Sequence, residues 1–180
     1  MNNKIIRMTP IGKAKFVYIS DPDTQFDSKG IYHCSVEFSK EEAKPEIKAI
    51  HEEISKVIIE KFRKLKKDLP YRGGDTKRAP LPYKEENGKI VIKFKSKFKP
   101  KIFDKDQNEL NPDVAVWKDS TMRVKYELNG YDQMVGVGCS LYLLAVQVVD
   151  LVKGSSQNGA CPFDKVQGSA LPHLSEKVPY

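Results

Sequence analysis

Lysine and apolar residues alternate almost without interruption in the stretch KIVIKFKSKFKPKIF, residues 89–103. Successive side chains of a β-strand point to opposite faces, so this stretch predicts a strand with one apolar face and one face of ammonium groups. Such a row suits either an edge strand protected from pairing with other chains or a surface that binds a polyanion. The five lysines predicted to share this face are Lys93, Lys95, Lys97, Lys99 and Lys101.

Apolar periodicity elsewhere in the chain predicts further strands and one long helix. A capping box of Ser39 and Glu42 precedes apolar residues at three- and four-residue steps, which predicts a helix to about residue 69. Residues 70–88, with their prolines and glycines, are predicted to form a long loop. Further strands are predicted over residues 14–19, 31–38, 121–128 and 135–149. About five strands and one inserted helix suit a mainly β, antiparallel Greek-key barrel.

The C-terminal segment differs in composition from the rest of the chain. Residues 153–180 are rich in turn residues and show no periodicity, so we expect a flexible tail after a folded domain of residues 1–152. No apolar run approaches the ~20 residues that span a bilayer, and the N-terminus lacks the apolar block of a signal peptide. The odd number of scattered cysteines predicts reduced thiols in a cytosol-like compartment, with Cys34 and Cys139 in the core.

The positive charge of the chain is concentrated in one segment. The net charge of the 180 residues is +7. Residues 61–101 contain 15 Lys or Arg and four acidic residues, a net charge of +11, so the rest of the chain sums to −4. This asymmetry predicts a polyanionic partner, either nucleic acid or an anionic membrane. Because the lysines lie on predicted strands and loops and not on an amphipathic helix, nucleic acid is favoured.

Aromatic residues are interleaved with these cations. Cations that follow a phosphate backbone, next to rings that stack on bases, are what a sequence-tolerant single-strand binder requires. Tyr71, Tyr83 and Trp117 lie outside the clear strands and are the predicted stacking residues. Phe94 and Phe98 have inward parity in the lysine strand and are expected in the core. The complete predicted DNA-binding set is Tyr71, Arg72, Lys77, Arg78, Tyr83, Lys93, Lys95, Lys97, Lys99, Lys101, Trp117, Arg123 and Lys125.

Two other functions fit parts of the sequence. Asp23 followed by Glu46 and Lys48 imitates the acid–acid–lysine signature of Mg²⁺-dependent nucleases. In that chemistry the side chains converge from neighbouring strands, whereas Glu46 and Lys48 fall in the first turns of the predicted helix. An RNA-binding or protein-interaction barrel is the other alternative. The zinc-protease, calcium and nucleotide motifs that the chain approaches are all incomplete, so no catalytic residue, metal site or cofactor is predicted.

Four stretches carry a family resemblance: DPDTQFDSKGIYHCSV (21–36), YRGGDTKR (71–78), IKFKSKFKPKIFD (92–104) and VGVGCSLYLLAVQVVDLV (135–152). With them, residues 16–152 resemble the single-stranded DNA-binding proteins of podovirus-type and related bacteriophages. The resemblance implies an oligonucleotide-binding (OB) barrel with a long extra helix and no enzymatic activity. It also implies a sequence-independent protein that coats and protects single-stranded DNA in phage DNA replication, recombination and repair, in the cytoplasm of the infected bacterial host.

The resemblance also implies partners besides single-stranded DNA. Members of the family dimerise and contact polymerase and primase-helicase through an acidic tail that ends in an aromatic residue. This chain ends in Tyr180, but residues 153–180 contain three lysines and two acids, a net charge of +1, so the acidic character is missing. On the same analogy, the cations of the DNA-binding face would be Arg72, Lys77, Lys93, Lys95, Lys97, Lys99, Arg123 and Lys125.

Overall fold

The computed structural model describes residues 5–25, 27–65, 77–111 and 114–152, and this part of the chain contains eight strands and one helix. Every predicted strand and the predicted helix appear, and one strand has the predicted bounds of 31–38. The predicted tail, the predicted helix end at 66–69, Tyr71 and Arg72 lie outside the described residues. The elements are β1 (Ile5–Met8), β2 (Gly12–Asp23), β3 (Ile31–Phe38), α1 (Lys40–Leu65), β4 (Tyr83–Glu86), β5 (Lys89–Ser96), β6 (Lys101–Phe103), β7 (Thr121–Gln133) and β8 (Gly136–Asp150).

Five of the strands close a barrel. β2 pairs with β3, β3 with β5, β5 with β8, β8 with β7, and β7 returns to β2. These pairings are antiparallel except that of β5 with β8, which is parallel. A closed ring with an odd number of strands cannot be antiparallel throughout, and here the parallel pairing is the one between β5 and β8. The predicted mainly β, five-stranded OB-type barrel with one long inserted helix is confirmed, with this one pairing parallel instead of antiparallel.

Three short strands extend the barrel; β1 and β4 are not predicted from the sequence, and β6 is the separated end of the predicted lysine strand. β4 lies in the segment predicted as a loop and pairs with β5 through a turn at Asn87 and Gly88, whose φ angles are 51° and 76°. An Asn-Gly pair with positive φ at both positions is typical of a tight hairpin turn. β1 pairs with β7, and β6 pairs in parallel with β8. Each of these strands has three or four residues, too few to show a periodicity.

The helix α1 packs against β7 and β8 and covers one end of the core. Its predicted capping box forms, since Ser39 N donates to Glu42 Oε2 at 2.9 Å and Glu42 N donates to Ser39 Oγ at 3.3 Å. A Cβ atom at Gly130 of β7 would lie 2.5 Å from Val57 Cγ2, so the close approach of strand and helix requires glycine there. No helix among the described residues is long and apolar enough to cross a membrane.

The interior of the barrel holds the residues that alternation assigns to it. Phe94 is fully buried, as its inward parity predicts. Cys34 and Cys139 are buried free cysteines, which confirms their predicted place in the core. Burial raises the pKa of both thiols to about 12, so neither is a reactive thiolate at neutral pH.

A buried carboxylate joins the helix to two strands. Glu46 of α1 is only 4% exposed. Arg7 of β1 donates to both of its oxygens, from Nε at 3.0 Å and from Nη2 at 3.1 Å, and Tyr126 Oη of β7 also donates to Oε2. The hydrogen bonds to Glu46 raise the pKa of Arg7, and burial raises that of Tyr126. The cluster therefore ties β1, α1 and β7 together at one point.

We expect Glu46→Ala to lower the free energy of unfolding by about 3 kcal/mol, because it leaves Arg7 without its partner and the Tyr126 hydroxyl unsatisfied. Chemical denaturation measures the loss. The matched control is Glu52→Ala on the same helix, whose carboxylate is exposed and lies 3.9 Å from Lys48. A change within about 0.5 kcal/mol is expected for the control. Equal losses in the two variants would contradict the tethering role of Glu46.

Candidate nucleic-acid interface

The lysine strand is shorter than the sequence predicts. β5 ends at Ser96, the chain bends over residues 97–100, and β6 begins at Lys101. Ser96 Oγ accepts a hydrogen bond from Phe98 N at 3.0 Å, and the proline at the end of the bend has no amide hydrogen for a ladder. Phe98, predicted to point into the core, lies in this bend and is 82% exposed. The prediction of a core position for Phe98 is therefore wrong.

The prediction of five lysines on one face of one strand is also wrong. The bend divides them, because side chains keep a common face only where the strand continues. Lys93 and Lys95 lie on the outer face of β5, Lys97 and Lys99 lie in the bend, and Lys101 lies on β6, where Nζ donates to Glu109 Oε2 at 3.0 Å.

Three adjacent strands combine rings and lysines on one outer surface, which we call the front face. Its residues are Phe16 and Tyr18 of β2, His33 and Ser35 of β3, and Lys93 and Lys95 of β5. The register arranges them in two rows, Tyr18–His33–Lys95 and Phe16–Ser35–Lys93. Residues opposite each other on antiparallel strands share a face and lie about 5 Å apart. A groove with a volume of about 470 Å³ lies over these rows.

The two rings of the front face were not found from the sequence. Phe16 is 56% exposed and Tyr18 is 43% exposed, and the Tyr18 ring lies against His33 with their centroids 4.8 Å apart. A bulge between Ala14 and Phe16 shifts the parity of β2, so Lys15 and Phe16 both reach the outer side. Simple alternation therefore does not indicate which apolar residues of this strand face outward.

Trp117, a predicted stacking residue, lies beside the same strand. The segment 114–120 runs along the edge of β2 that faces away from β3. Ser20 Oγ donates to Val114 O at 2.7 Å, and Asp119 N donates to Ala14 O at 2.8 Å. Trp117 is 53% exposed, and its role in stacking stays a prediction.

Acidic residues neutralise lysines beside the front face but not the lysines of the face itself. Lys15 Nζ lies 2.6 Å from Glu86 Oε2, and Lys89 Nζ lies 2.8 Å from Glu37 Oε1. By contrast, the two front-face lysines form no salt bridge with any residue that the structure describes. Their ammonium groups are therefore available for an anionic ligand.

One end of the groove is acidic. Asp23 Oδ2 lies 3.1 Å from His33 Nε2, and Asp23 Oδ1 accepts a hydrogen bond from Gln25 N at 2.9 Å. The hydrogen bond from Gln25, followed by that of His33, lowers the pKa of Asp23, so the carboxylate is ionised at neutral pH. Asp27 lines the same end. A polyanion in the groove is repelled at this end and attracted at the lysines.

Two predicted DNA-binding residues of β7 lie on another side of the barrel. Arg123 is opposite Gln147, and Lys125 is opposite Ala145, both on β8. Since β8 separates β7 from β5, the structure does not bring these two cations to the front face. Their role in DNA binding stays a prediction.

Of the predicted loop residues that the structure describes, Lys77 and Arg78 lie away from the two rows of the front face, whereas Tyr83 lines a groove beside the row Phe16–Ser35–Lys93. Lys77 and Arg78 are exposed near the tip of the β7–β8 hairpin, where Arg78 forms a bridge with Val137. Tyr83 of β4 is partly buried against the core, and its hydroxyl lies 2.8 Å from His51 Nε2 of the helix. Tyr83 therefore has a packing role, and its role in stacking stays a prediction.

The structure does not assemble the nuclease signature. Asp23 lies at the end of β2 with His33, while Glu46 is buried with Arg7 beneath β1. Lys48 is exposed on the helix. Among the residues with described positions, no group of three His, Cys, Asp or Glu side chains is suited to hold a metal ion. The geometry therefore does not favour the nuclease alternative.

The barrel topology and the position of the front face together define a class of protein. The barrel strands are β2, β3, β5, β7 and β8 in chain order, and their order in space is first, second, third, fifth and fourth. The front face lies on the first three of these strands, and it includes the surface of the second and third strands that OB folds use for oligonucleotides and oligosaccharides. The chain is therefore an OB-fold protein whose front face combines cations and exposed aromatic rings.

Solved structures with this fold include phage single-stranded DNA-binding proteins. The crystal structure of gp2.5, a single-stranded DNA-binding protein encoded by bacteriophage T7, has a TM-score of 0.71 and 17% identity over 85% of this chain and 96% of that chain. The single-stranded DNA-binding protein from bacteriophage Enc34, in complex with ssDNA, has a TM-score of 0.55 and 12% identity over 86% and 94% of the two chains. No protein-family model and no curated protein matches the sequence. The fold that the family resemblance implies is confirmed.

The ion pairs beside the front face predict a pH dependence of stability. Hydrogen bonds from Lys15 and Lys84 lower the pKa of Glu86 from 4.5 to about 2. A carboxylate with a lowered pKa in the folded state stabilises the fold above its unfolded pKa, and this contribution is lost as the pH falls toward the folded value. The unmodified protein should therefore be more stable than Glu86→Gln at pH 6, and the difference should disappear between pH 4.5 and about pH 2.

Denaturant midpoints of both proteins, measured at a series of pH values, check this expectation. Glu52→Gln removes the same charge from the exposed helix surface and serves as the control, without such a convergence. A difference between the unmodified protein and Glu86→Gln that stays constant down to about pH 2 would show that Glu86 is not held by these ion pairs.

Proposed function

We propose that this chain is a non-enzymatic protein that binds single-stranded DNA without sequence specificity through the front face. The observation that carries the proposal is two exposed rings, Phe16 and Tyr18, across one strand from two lysines that have no ion pair among the described residues. Every base has a face that stacks on a ring, and every phosphate attracts an ammonium group, so the combination is sequence-tolerant. The fold shared with proteins described as single-stranded DNA-binding supports this function.

The spacing of the front face suits an extended polynucleotide. The rings lie on β2 and the lysines on β5, two strand spacings or about 10 Å apart. A single strand running along β3 would place its bases over the rings and its phosphates over the lysines. In a duplex the bases are paired and stacked on one another, so the rings have no free base to contact. We therefore expect the front face to prefer single strands.

The wider role that we propose is coating and protection of single-stranded DNA during replication, recombination and repair of a phage genome, in the cytoplasm of the infected cell. The fold shared with the T7 and Enc34 proteins supports a phage origin. Homodimer formation and contacts with polymerase or primase-helicase through the Tyr180 end are further parts of the proposal. They rest on the family resemblance, since residues 153–180 lie outside the described part of the chain.

Replacing both Lys93 and Lys95 by Gln should flatten the salt dependence of binding. If each lysine neutralises one phosphate, the slope of log K against log salt concentration becomes less negative by about 1.4, or 0.7 per phosphate. Titration of a fluorescent oligothymidylate at several salt concentrations gives the slope. The control pair Lys48→Gln and Lys56→Gln removes the same charge from the exposed helix surface and should change the slope much less. An unchanged slope in the Lys93/Lys95 variant would show that these lysines do not contact DNA.

Phe16→Ala and Tyr18→Ala should each weaken binding about 5- to 150-fold, because stacking contributes roughly 1–3 kcal/mol per base. The salt slope should stay the same, since neither change removes a charge. Titration of the same oligomer measures both quantities. Ile59→Ala, at an exposed apolar residue of the helix, is the control and should bind normally. Wild-type affinity in both ring variants would show that bases do not stack on the front face.

Matched RNA and duplex DNA oligomers separate this function from the alternatives. The 2′-hydroxyl is the group by which a site distinguishes RNA from DNA. Tighter binding of RNA would assign the barrel to RNA, and failure to bind any of the three oligomers would favour a protein-interaction barrel.

A further inference from the structure

A second cationic surface lies on the outer side of β1, β7, β8 and β6, and the front face does not include it. We call it the rear face; its residues are Met8, Phe103, Arg123, Lys125, Ala145 and Gln147. Two rows cross it. In the first row Lys125 lies between Met8 and Ala145, and in the second Gln147 lies between Arg123 and Phe103. The rear face therefore repeats the combination of cations and apolar surface found at the front.

Arg123 is held in a fixed orientation. Its Nε donates to Gln147 Oε1 at 2.8 Å, and Gln147 Nε2 donates in turn to the carbonyl oxygens of Asp104 and Lys105 at 3.0 and 3.2 Å. Within the described residues the terminal nitrogens of Arg123 form no hydrogen bond, and Lys125 forms no salt bridge. A guanidinium positioned in this way presents a planar pair of donors to an anion such as a phosphate.

The space between these cations suits a nucleotide. A cavity of about 360 Å³ lies there, with Met8, Phe103 and Ala145 among its lining residues. Met8 is 61% exposed, so apolar surface next to these cations is open to a ligand. Phosphate at the cations and a base or sugar over the apolar lining would satisfy both parts of the cavity.

A line of exposed residues joins the two faces. Tyr142 of β8 lies opposite Lys95 of the front face and is 44% exposed, and Leu144 follows it at 37%. β5 leaves β8 at Tyr142 and β6 joins it three residues later, so the bend with Lys97 and the exposed Phe98 lies beside this line. From Tyr142 to the second row of the rear face is five residues, or about 17 Å.

We propose that single-stranded DNA bound at the front face continues over Tyr142 onto the rear face, where Arg123 and Lys125 bind further phosphates. This inference rests on the proposed function of the front face and extends the binding site to two sides of the barrel. Glu127 of β7 lies opposite Tyr142, so the path runs on the β6 side of β8, where Lys97 and Phe98 lie. A separate acidic peptide would also fit the charge of the rear face, but it would not use the exposed residues that connect the two faces.

The test compares the full chain with the double variant Arg123→Gln and Lys125→Gln. Two fluorescent oligothymidylates are used, one of about 4 nucleotides, which one face accommodates, and one of about 12, which reaches both, since OB folds bind roughly 4–16 nucleotides. We expect the variant to bind the short oligomer normally and the long one at least about tenfold more weakly. Its salt slope with the long oligomer should be less negative by about 1.4. Lys48→Gln with Lys56→Gln is the charge-matched control.

The outcomes distinguish the rear face from the front face. Normal binding of both oligomers by the Arg123/Lys125 variant would overturn the continued path and leave the front-face proposal intact. If that variant also lost binding of an oligoglutamate peptide that the unmodified protein binds, the rear face would be assigned to an acidic partner. Lost binding of both oligomers, with normal binding by the Lys93/Lys95 variant, would overturn the front-face proposal as well. Arg123→Lys keeps the charge and is the second variant if the double change impairs folding; it should lose part of the affinity for the long oligomer only.

Discussion

The parallel pairing of β5 with β8 is the interaction on which the whole surface depends. It brings Lys95 opposite Tyr142 and closes the barrel. Without it the second half of β5, which β4 does not cover, would be a sheet edge, and its lysines would be explained as protection against pairing with other chains. Because β5 pairs with β3 on one side and with β4 and β8 on the other, it has no long free edge to protect. The lysines on its outer face therefore need another explanation, and an anionic ligand provides one.

Acidic residues from distant parts of the chain decide which lysines remain available to that ligand. Lys15 and Glu86 are 71 positions apart, and Lys89 and Glu37 are 52 positions apart, yet both pairs are within hydrogen-bonding distance. These pairs stabilise the barrel beside the front face and remove their lysines from the binding surface. Some lysines of the sequence thus form ion pairs that stabilise the fold, and others stay exposed without an ion pair among the described residues. Only the tertiary structure shows which lysines belong to each group.

Local patterns predicted most of the fold, and non-local features limited the prediction of the site. The bounds of β3 and the capping box at Ser39 follow from alternation and local hydrogen bonds, so the sequence is sufficient for both. Phe98 was misplaced because its parity was extended through a bend that depends on Ser96 and a proline. Phe16 and Tyr18 are not evident from the sequence because a bulge in β2 shifts the parity after the buried Ala14, so simple alternation from Ala14 would place both rings inside. Bends and bulges, which interrupt the alternation of a strand, are therefore the features that make the face of a side chain unpredictable from the sequence.

The charge distribution of the front face would also set the path of a polyanion bound there. Ionised Asp23, together with Asp27, closes the groove at the β2–β3 turn, while the row that contains Lys95 is open toward Tyr142. A polyanion that enters along β3 is repelled from the turn and drawn across β5 to β8. The exposed rings and cations beyond that point, from Phe98 to Arg123, lie on the side to which this field directs the strand. The proposed path of a single chain of phosphates would account for both cationic faces of the barrel, whereas two unrelated ligands would each account for only one of them.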